Sequence, residues 1–121
     1  MIVVDSSVWV DHLRRREAGL AEALEQRQVL AHPFVIGELA CGQLRKRPAL
    51  LGSLAQLPQS PVASHDEALA FLDRHALAGR GIDWLGLHLL AATALAGDAR
   101  LWTRDRRLAA VAKELVLDHV E

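Results

Sequence analysis

The sequence predicts an α/β fold of three layers, in which helices cover both faces of a parallel sheet of four to five strands. Short aliphatic and β-branched runs alternate with longer stretches in which apolar residues recur at helical spacing. Strands that alternate with helices are typical of a parallel sheet, because each return to the same edge needs a crossover. The first run, at residues 2–5, is apolar up to its last residue, as expected for a strand buried on both faces.

In the first half of the chain, glycine and proline mark the boundaries of the predicted elements. Gly19 separates two helices and Pro33 precedes a third, because glycine weakens a helix interior and proline fits the first turn. Apolar residues recur at helical spacing in the third helix, which predicts one buried face. The predicted elements are a strand at 2–5, helices at 7–16 and 20–26, a strand at 28–31 and a helix at 34–45.

In the second half, prolines and a capping motif set the boundaries. Pro48 precedes a short helix, and Pro58 and Pro61 flank a strand. Ser64 and Glu67 have the spacing of a capping box, which predicts the start of a helix. The predicted elements are a helix at 49–56, a strand at 60–63, helices at 66–77 and 84–95, a strand at 99–103, a helix that opens at 105 and a strand at 115–118.

Length, charge and composition exclude several classes of protein. The chain of 121 residues suffices for one core and is too short for two, so residues 1–121 are assigned to a single domain. The formal net charge of -1 argues against tight nucleic-acid binding through bulk charge. The single cysteine, Cys41, excludes an internal disulfide and a thiolate zinc site. Without a bilayer-spanning apolar run or a signal peptide, the chain is expected to be cytoplasmic and not to bind membranes.

Three acidic residues occupy positions that suggest chemistry. Asp5 ends the first strand and Asp105 follows the strand at 99–103, so both carboxylates belong to strand tips, where ligands bind in open α/β sheets. Glu38 interrupts an apolar helical segment, which places it at the edge of the apolar face or beside a cation. Each also has a structural interpretation, as a helix N-cap for the two aspartates and as a surface residue for the glutamate. Their convergence would favour binding of Mg²⁺.

A family resemblance is carried by five segments of the chain, at 4–14, 32–39, 79–82, 88–91 and 101–108. Through these segments the chain resembles the VapC-type toxins, which are PIN-domain ribonucleases of toxin–antitoxin pairs. The segments occur in the family's order and span nearly the whole chain. The resemblance implies a PIN-like domain in which four acids bind Mg²⁺ or Mn²⁺ and RNA is hydrolysed. Asp5, Glu38 and Asp105 match three of these acids, and Ser7 and Thr103 match the hydroxyl positions beside them.

The fourth acid departs from the family pattern. The pattern places an aspartate where this chain has Gly86, and a glycine where it has Asp83. Asp83 lies three residues earlier, which on a continuous helix is the same face but about 4.5 Å away along the axis. Two interpretations therefore stand: Asp83 replaces the missing acid, or it is only the N-cap of the helix that follows.

The resemblance implies a metal-dependent endoribonuclease toxin that pairs with a cognate antitoxin, acts on RNA and forms a homodimer. Arg104, Arg106 and Arg80 are candidate RNA-binding residues, although a solvated helix face is the more common explanation of such basic residues. One alternative is a binding module of the same fold, weakened in catalysis by the glycine at position 86. Another is a phospho-accepting receiver domain. That class needs a lysine at a late strand end, whereas Lys46 and Lys113 lie in helical segments.

Overall fold

The first strand occupies the centre of a parallel sheet. In the computed structural model, which describes residues 1–121, β1 (Ile2–Val4) lies between β2 (Val29–Leu30) and β3 (Arg100–Trp102) in the order β2-β1-β3. Every residue of β1 is at most 8% exposed, so helices cover both of its faces. Val4 pairs with Trp102, which brings the ends of β1 and β3 level with each other. The predicted α/β fold with a parallel sheet is confirmed.

Seven helices surround this sheet. Their bounds are α1 (Ser6–Arg14), α2 (Ala18–Glu25), α3 (Pro33–Ala40), α4 (Arg47–Gln56), α5 (His65–Arg74), α6 (Trp84–Ala96) and α7 (Arg106–Glu114). The most apolar of them, α6, is buried from Gly86 to Thr93 and packs against α5 and β3. The predicted capping box is present at the start of α5, where Ser64 and Glu67 satisfy each other's backbone N–H groups. The longest helix, α6, has 13 residues, and no helix of the structure could span a bilayer.

The two outer strands of the prediction are reduced to single bridges. The strand predicted at 60–63 does not form. The parallel bridge beside it joins Ala31 to Gln59, and the next pair of this ladder would need an N–H from Pro33, which has none. The segment at 115–118 contributes only the bridge between Leu101 and Asp118. Val116, with φ of 58°, stands in the left-handed region, so the backbone becomes extended only after it. The sheet thus has three strands with one bridge at each edge.

Several helix boundaries differ from the prediction, and the helix predicted at 66–77 ends at Arg74. Gly19 lies in the first turn of α2, and the break falls earlier, after Arg14. A Cβ atom at Gly19 would lie 3.3 Å from Cη2 of Trp102, so this glycine permits close packing. The helix predicted at 34–45 ends at Ala40, and Gly42 follows shortly after, as is common beyond a helix C-terminus.

Stability should fall as the pH is lowered from about 6.5 to about 4, because His32 is buried in its neutral form. Burial, together with the nearby His88, lowers the pKa of His32 from 6.5 to about 4. Within that interval the unfolded chain binds a proton that the folded chain does not, so the unfolding free energy decreases by about 3 kcal/mol. Denaturant unfolding at several pH values measures this slope.

His32→Asn provides the matched control for that measurement. The His32 ring accepts the N–H of Phe34 through Nδ1 and so caps α3, a role that asparagine can fill without titrating. The variant should be less stable throughout but should show a shallower pH dependence. An unchanged slope would assign the effect to other groups.

Candidate active site

The four acids considered in the sequence line one cleft at the carboxyl end of the sheet. The cleft has a volume of about 420 Å³, and its acidic lining includes Asp5, Glu38, Asp83 and Asp105. Gly86 lines the same cleft, so the three acids matched by sequence and the uncertain fourth position are brought together. Lys46 and Lys113 do not line the cleft, and the arrangement expected of a receiver domain is absent.

Hydrogen bonds fix Asp5 at the tip of β1. Its Oδ1 atom accepts the N–H of Ser6 at 2.8 Å, and its Oδ2 atom accepts the hydroxyl groups of Ser7 at 3.0 Å and Thr103 at 2.7 Å. Each hydroxyl in turn accepts a backbone N–H, from Arg104 and Asp105 respectively, both at 3.1 Å. Ser7 and Thr103 therefore orient this carboxylate, and they join the tip of β1 to the tip of β3.

Three of the four acids are helix N-caps, so helix N-termini converge on the cleft. Asp5 caps α1, Asp83 caps α6 and Asp105 caps α7. Oδ1 of Asp105 accepts the N–H groups of Arg107 at 3.0 Å and Leu108 at 3.1 Å. The positive ends of the three helix dipoles stabilise negative charge at this place. The capping role predicted for the aspartates thus coexists with their position in the cleft.

Glu38 reaches the cleft from the exposed side of α3. It keeps contact with solvent, so it lies at the edge of the apolar face. Surrounding protein and, to a smaller extent, the negative charges of Asp5 and Asp83 raise the pKa of Glu38 above its ordinary value. Glu38 is therefore protonated more readily than an ordinary glutamate as the pH falls.

Asp83 lies beside the space that a side chain at position 86 would enter. Its Oδ1 atom accepts the N–H of Gly86 at 2.7 Å. A Cβ atom built on Gly86 would lie 3.1 Å from that oxygen and 3.2 Å from a methyl group of Leu108. An axial separation of about 4.5 Å along a helix overstates the distance, because an N-cap side chain folds back over the first turn. Asp83 is an N-cap, and its carboxylate lies in the cleft beside Gly86.

The three candidate RNA-binding arginines have different surroundings. Arg104 donates to three carboxylates, and its side chain is 26% exposed. Arg80 pairs with Glu114 at 2.7 Å on the surface. Arg106 is exposed and takes part in none of the ion pairs of the structure. Only Arg106 thus presents a free cation.

A second groove continues from the acidic cleft along α1. It has a volume of about 610 Å³ and shares Ser6, Val10 and Glu38 with the cleft. Its walls combine aliphatic side chains with two cations. These are Leu13, Leu39, Leu44, Leu50, Arg14 and Arg45. We call this feature the basic groove.

An aromatic surface lies near the cleft. Phe34, 38% exposed, and Trp84, 42% exposed, both contact the buried ring of His88, with centroid distances of 4.9 and 4.7 Å. Phe34 is one helical turn before Glu38, and Trp84 directly follows Asp83. We call Phe34 and Trp84 the aromatic patch.

One acidic residue of the cleft, Asp11, was missed in the sequence. Asp11 lines it beside Val10 and pairs with Arg104 at 2.6 Å. The two residues are 93 positions apart, and no local pattern in the sequence connects them.

The chemistry of the cleft fits a hard cation. Its donors are carboxylate and hydroxyl oxygens, the ligands that Mg²⁺ and Mn²⁺ prefer. No three potential ligands lie close enough to form a preassembled metal site. Mg²⁺ typically uses one or two carboxylates together with waters and substrate phosphate, so such an assembly is not required.

A parallel α/β sheet with an acidic cleft at its carboxyl end is typical of metal-dependent nucleases, and comparison with known protein families identifies the class. The model of the PIN domain matches residues 2–114, and the chain belongs to the PIN-domain family. It is 48% identical over 114 residues to Ribonuclease VapC32 of Mycobacterium tuberculosis, in the strains CDC 1551 / Oshkosh and ATCC 25618 / H37Rv. The match covers 94% of this chain and 92% of each relative. The resemblance to VapC-type PIN-domain toxins is confirmed.

Proposed function

We propose that the protein is a metal-dependent endoribonuclease toxin of a toxin–antitoxin pair, which hydrolyses phosphodiester bonds of RNA in the cytoplasm. The observation that carries this proposal is the convergence of Asp5, Glu38, Asp83 and Asp105 on one cleft. The similarity to a ribonuclease over most of the chain supports it.

Each acid has a proposed role in the reaction. Asp5 and Asp105 would hold a divalent cation, assisted by Glu38 and Asp83. When bound, Mg²⁺ or Mn²⁺ supplies activation of water and stabilisation of charge on the attacked phosphate. Glu38 accepts the proton of the attacking water, because its raised pKa makes it a stronger base than an ordinary glutamate. Ser7 and Thr103 hold Asp5 in place through its Oδ2 atom.

Cleavage of single-stranded RNA by the purified chain tests the proposal. We expect cleavage with Mg²⁺ or Mn²⁺ and none after chelation with EDTA. Cleavage that survives chelation would contradict metal dependence. RNA binding without cleavage at saturating Mn²⁺ would favour the alternative of a binding module weakened by Gly86.

The antitoxin is proposed to occupy the basic groove and to reach the acidic cleft. The aliphatic wall of the groove suits an apolar peptide face, and the cleft suits a basic side chain such as arginine.

RNA is proposed to approach over Arg106, whose cation is free, and Arg80 is a weaker candidate because Glu114 already neutralises it.

A homodimer is proposed to form through the aromatic patch. Large apolar side chains exposed next to each other commonly mark protein interfaces. Trp84→Gln should shift the protein from dimer to monomer at tens of micromolar, as measured by light scattering. Val120→Gln is the matched control, because Val120 is 78% exposed and does not belong to the patch. A parent chain that is monomeric at this concentration would contradict the proposal.

A further inference from the structure

Asp11 adds a fifth carboxylate to the acidic cleft. It lies on α1, one and a half turns after Asp5, and its side chain is 44% exposed. An unpaired aspartate here would increase the repulsion between the cleft and an RNA phosphate, and would compete with the other acids for a cation. Its charge therefore has to be neutralised by another group if the four other acids are to form the binding set.

Arg104 supplies that group. Its Nη1 atom donates to Oδ2 of Asp11 at 2.6 Å and to Oε1 of Glu17 at 2.9 Å, and its Nη2 atom donates to Oε1 of Glu121 at 2.5 Å. The guanidinium also lies 6.0 Å from the ring centroid of Trp102. These contacts raise the pKa of Arg104 further above its ordinary value, so it stays charged. A guanidinium held by three carboxylates has little freedom to bind RNA phosphate.

The backbone of Arg104 is connected to the same site. Its N–H group donates to Oγ of Ser7, which donates to Oδ2 of Asp5. The neighbouring residues, Thr103 and Asp105, are the second hydroxyl partner of Asp5 and one of the four acids. The backbone of Arg104 thus contacts the hydroxyl that orients Asp5, while its side chain contacts the carboxylates of Asp11, Glu17 and Glu121.

We propose that Arg104 is a positioning residue that neutralises Asp11 and keeps this fifth carboxylate out of the cation-binding set. This inference rests on the proposed nuclease function. It replaces the expectation that Arg104 binds RNA. Removal of the Arg104 guanidinium should make the cleft more negative by one charge. For charges separated by about 10 Å, such a change alters the affinity for an ion by about three- to tenfold.

Three variants test the proposal: Arg104→Met, the double variant Arg104→Met with Asp11→Asn, and Arg74→Met as control. Arg74 is exposed on α5, away from the cleft. Arg104→Met should raise the KM for a short single-stranded RNA and tighten Mn²⁺ binding in calorimetry, each about three- to tenfold. The double variant should return both values toward those of the parent. An Arg104 that contacts RNA directly would leave KM high in the double variant, which would overturn the proposal.

A measurement on metal-free protein separates this proposal from the nuclease function. The carboxyl group of Glu38, followed by ¹³C NMR, should titrate at higher pH in Arg104→Met and return in the double variant. Glu38 faces Asp5, Asp11, Asp83 and Asp105 across the cleft and Arg14 and Arg45 in the basic groove. A titration that does not move, or that Asp11→Asn does not reverse, would refute the role of Arg104. Absence of both Mn²⁺ binding and RNA cleavage in the parent would instead refute the nuclease proposal.

Asp11→Asn alone covers the case in which Arg104→Met does not fold. This variant leaves Arg104 paired with Glu17 and Glu121 and removes one negative charge from the cleft. Glu38 should then titrate at lower pH than in the parent. An unchanged or higher titration would count against the proposal.

Discussion

Asp5→Asn is expected to reduce metal-dependent RNA cleavage by about a thousandfold while the chain still folds. A bound cation contributes several kcal/mol to stabilisation of the transition state, and about 4 kcal/mol corresponds to that factor. Asp5 is the acid that the structure holds most firmly, since it is 7% exposed and accepts hydrogen bonds at both oxygens. Single-turnover cleavage at saturating Mn²⁺ measures the loss.

The fold should tolerate this change because the partners of Asp5 can reverse their hydrogen bonds. The amide oxygen of asparagine can accept the N–H of Ser6, and its NH₂ group can donate to Ser7 and Thr103, whose hydroxyl hydrogens rotate. Loss of one negative charge also relieves repulsion between the acids. The free energy of unfolding of Asp5→Asn, measured by thermal denaturation, should therefore differ from that of the parent by no more than about 1–2 kcal/mol. Asp73→Asn, an exposed acid of α5, is the control and should retain full activity. Undiminished cleavage by Asp5→Asn would refute the assignment of the site.

Asp83→Asn is expected to weaken Mn²⁺ binding and cleavage together, by about ten- to a hundredfold, with little loss of stability. Asparagine caps a helix as well as aspartate does, so this variant removes the charge and keeps the hydrogen bond to the N–H of Gly86. The fold-change is that typical of a group acting on a metal through an intervening ligand. Asp83→Ala removes the cap as well and should cost a further 0.5–2 kcal/mol or so of stability. An unchanged calorimetric isotherm would mean that Asp83 is only a cap.

Gly86→Asp provides the complementary test at the family's own position. With Asp83 present, the new Cβ would lie 3.1 Å from its Oδ1 atom, so the variant should crowd the site and gain no Mn²⁺ affinity. With Asp83→Ala in the same chain, that oxygen is gone and the carboxylate at position 86 should restore part of the affinity lost. Gain of affinity in the single variant would contradict the view that Asp83 already occupies this place.

Many elements of this fold were predictable because they depend on neighbouring residues. The capping box of Ser64 and Glu67 marks the start of α5, and the apolar run at Ile2–Val4 identifies a central strand. The edges were less predictable, since Pro33, which has no N–H, and the left-handed backbone of Val116 leave single bridges where the outer strands were expected. Such details depend on a few backbone hydrogen bonds that composition does not specify.

The sequence by itself determined the fold class and the meeting of Asp5 with Asp105, because parallel strands end at the same edge of a sheet. Only the tertiary structure decided the remainder of the site. Asp83 shares the cleft because an N-cap side chain folds back over the first turn, here to the N–H of Gly86. Arg104 is committed to Asp11 and Glu17, which lie 93 and 87 residues earlier in the chain. Pairing over such distances follows from how helices pack on the sheet, and that packing leaves no local pattern in the sequence.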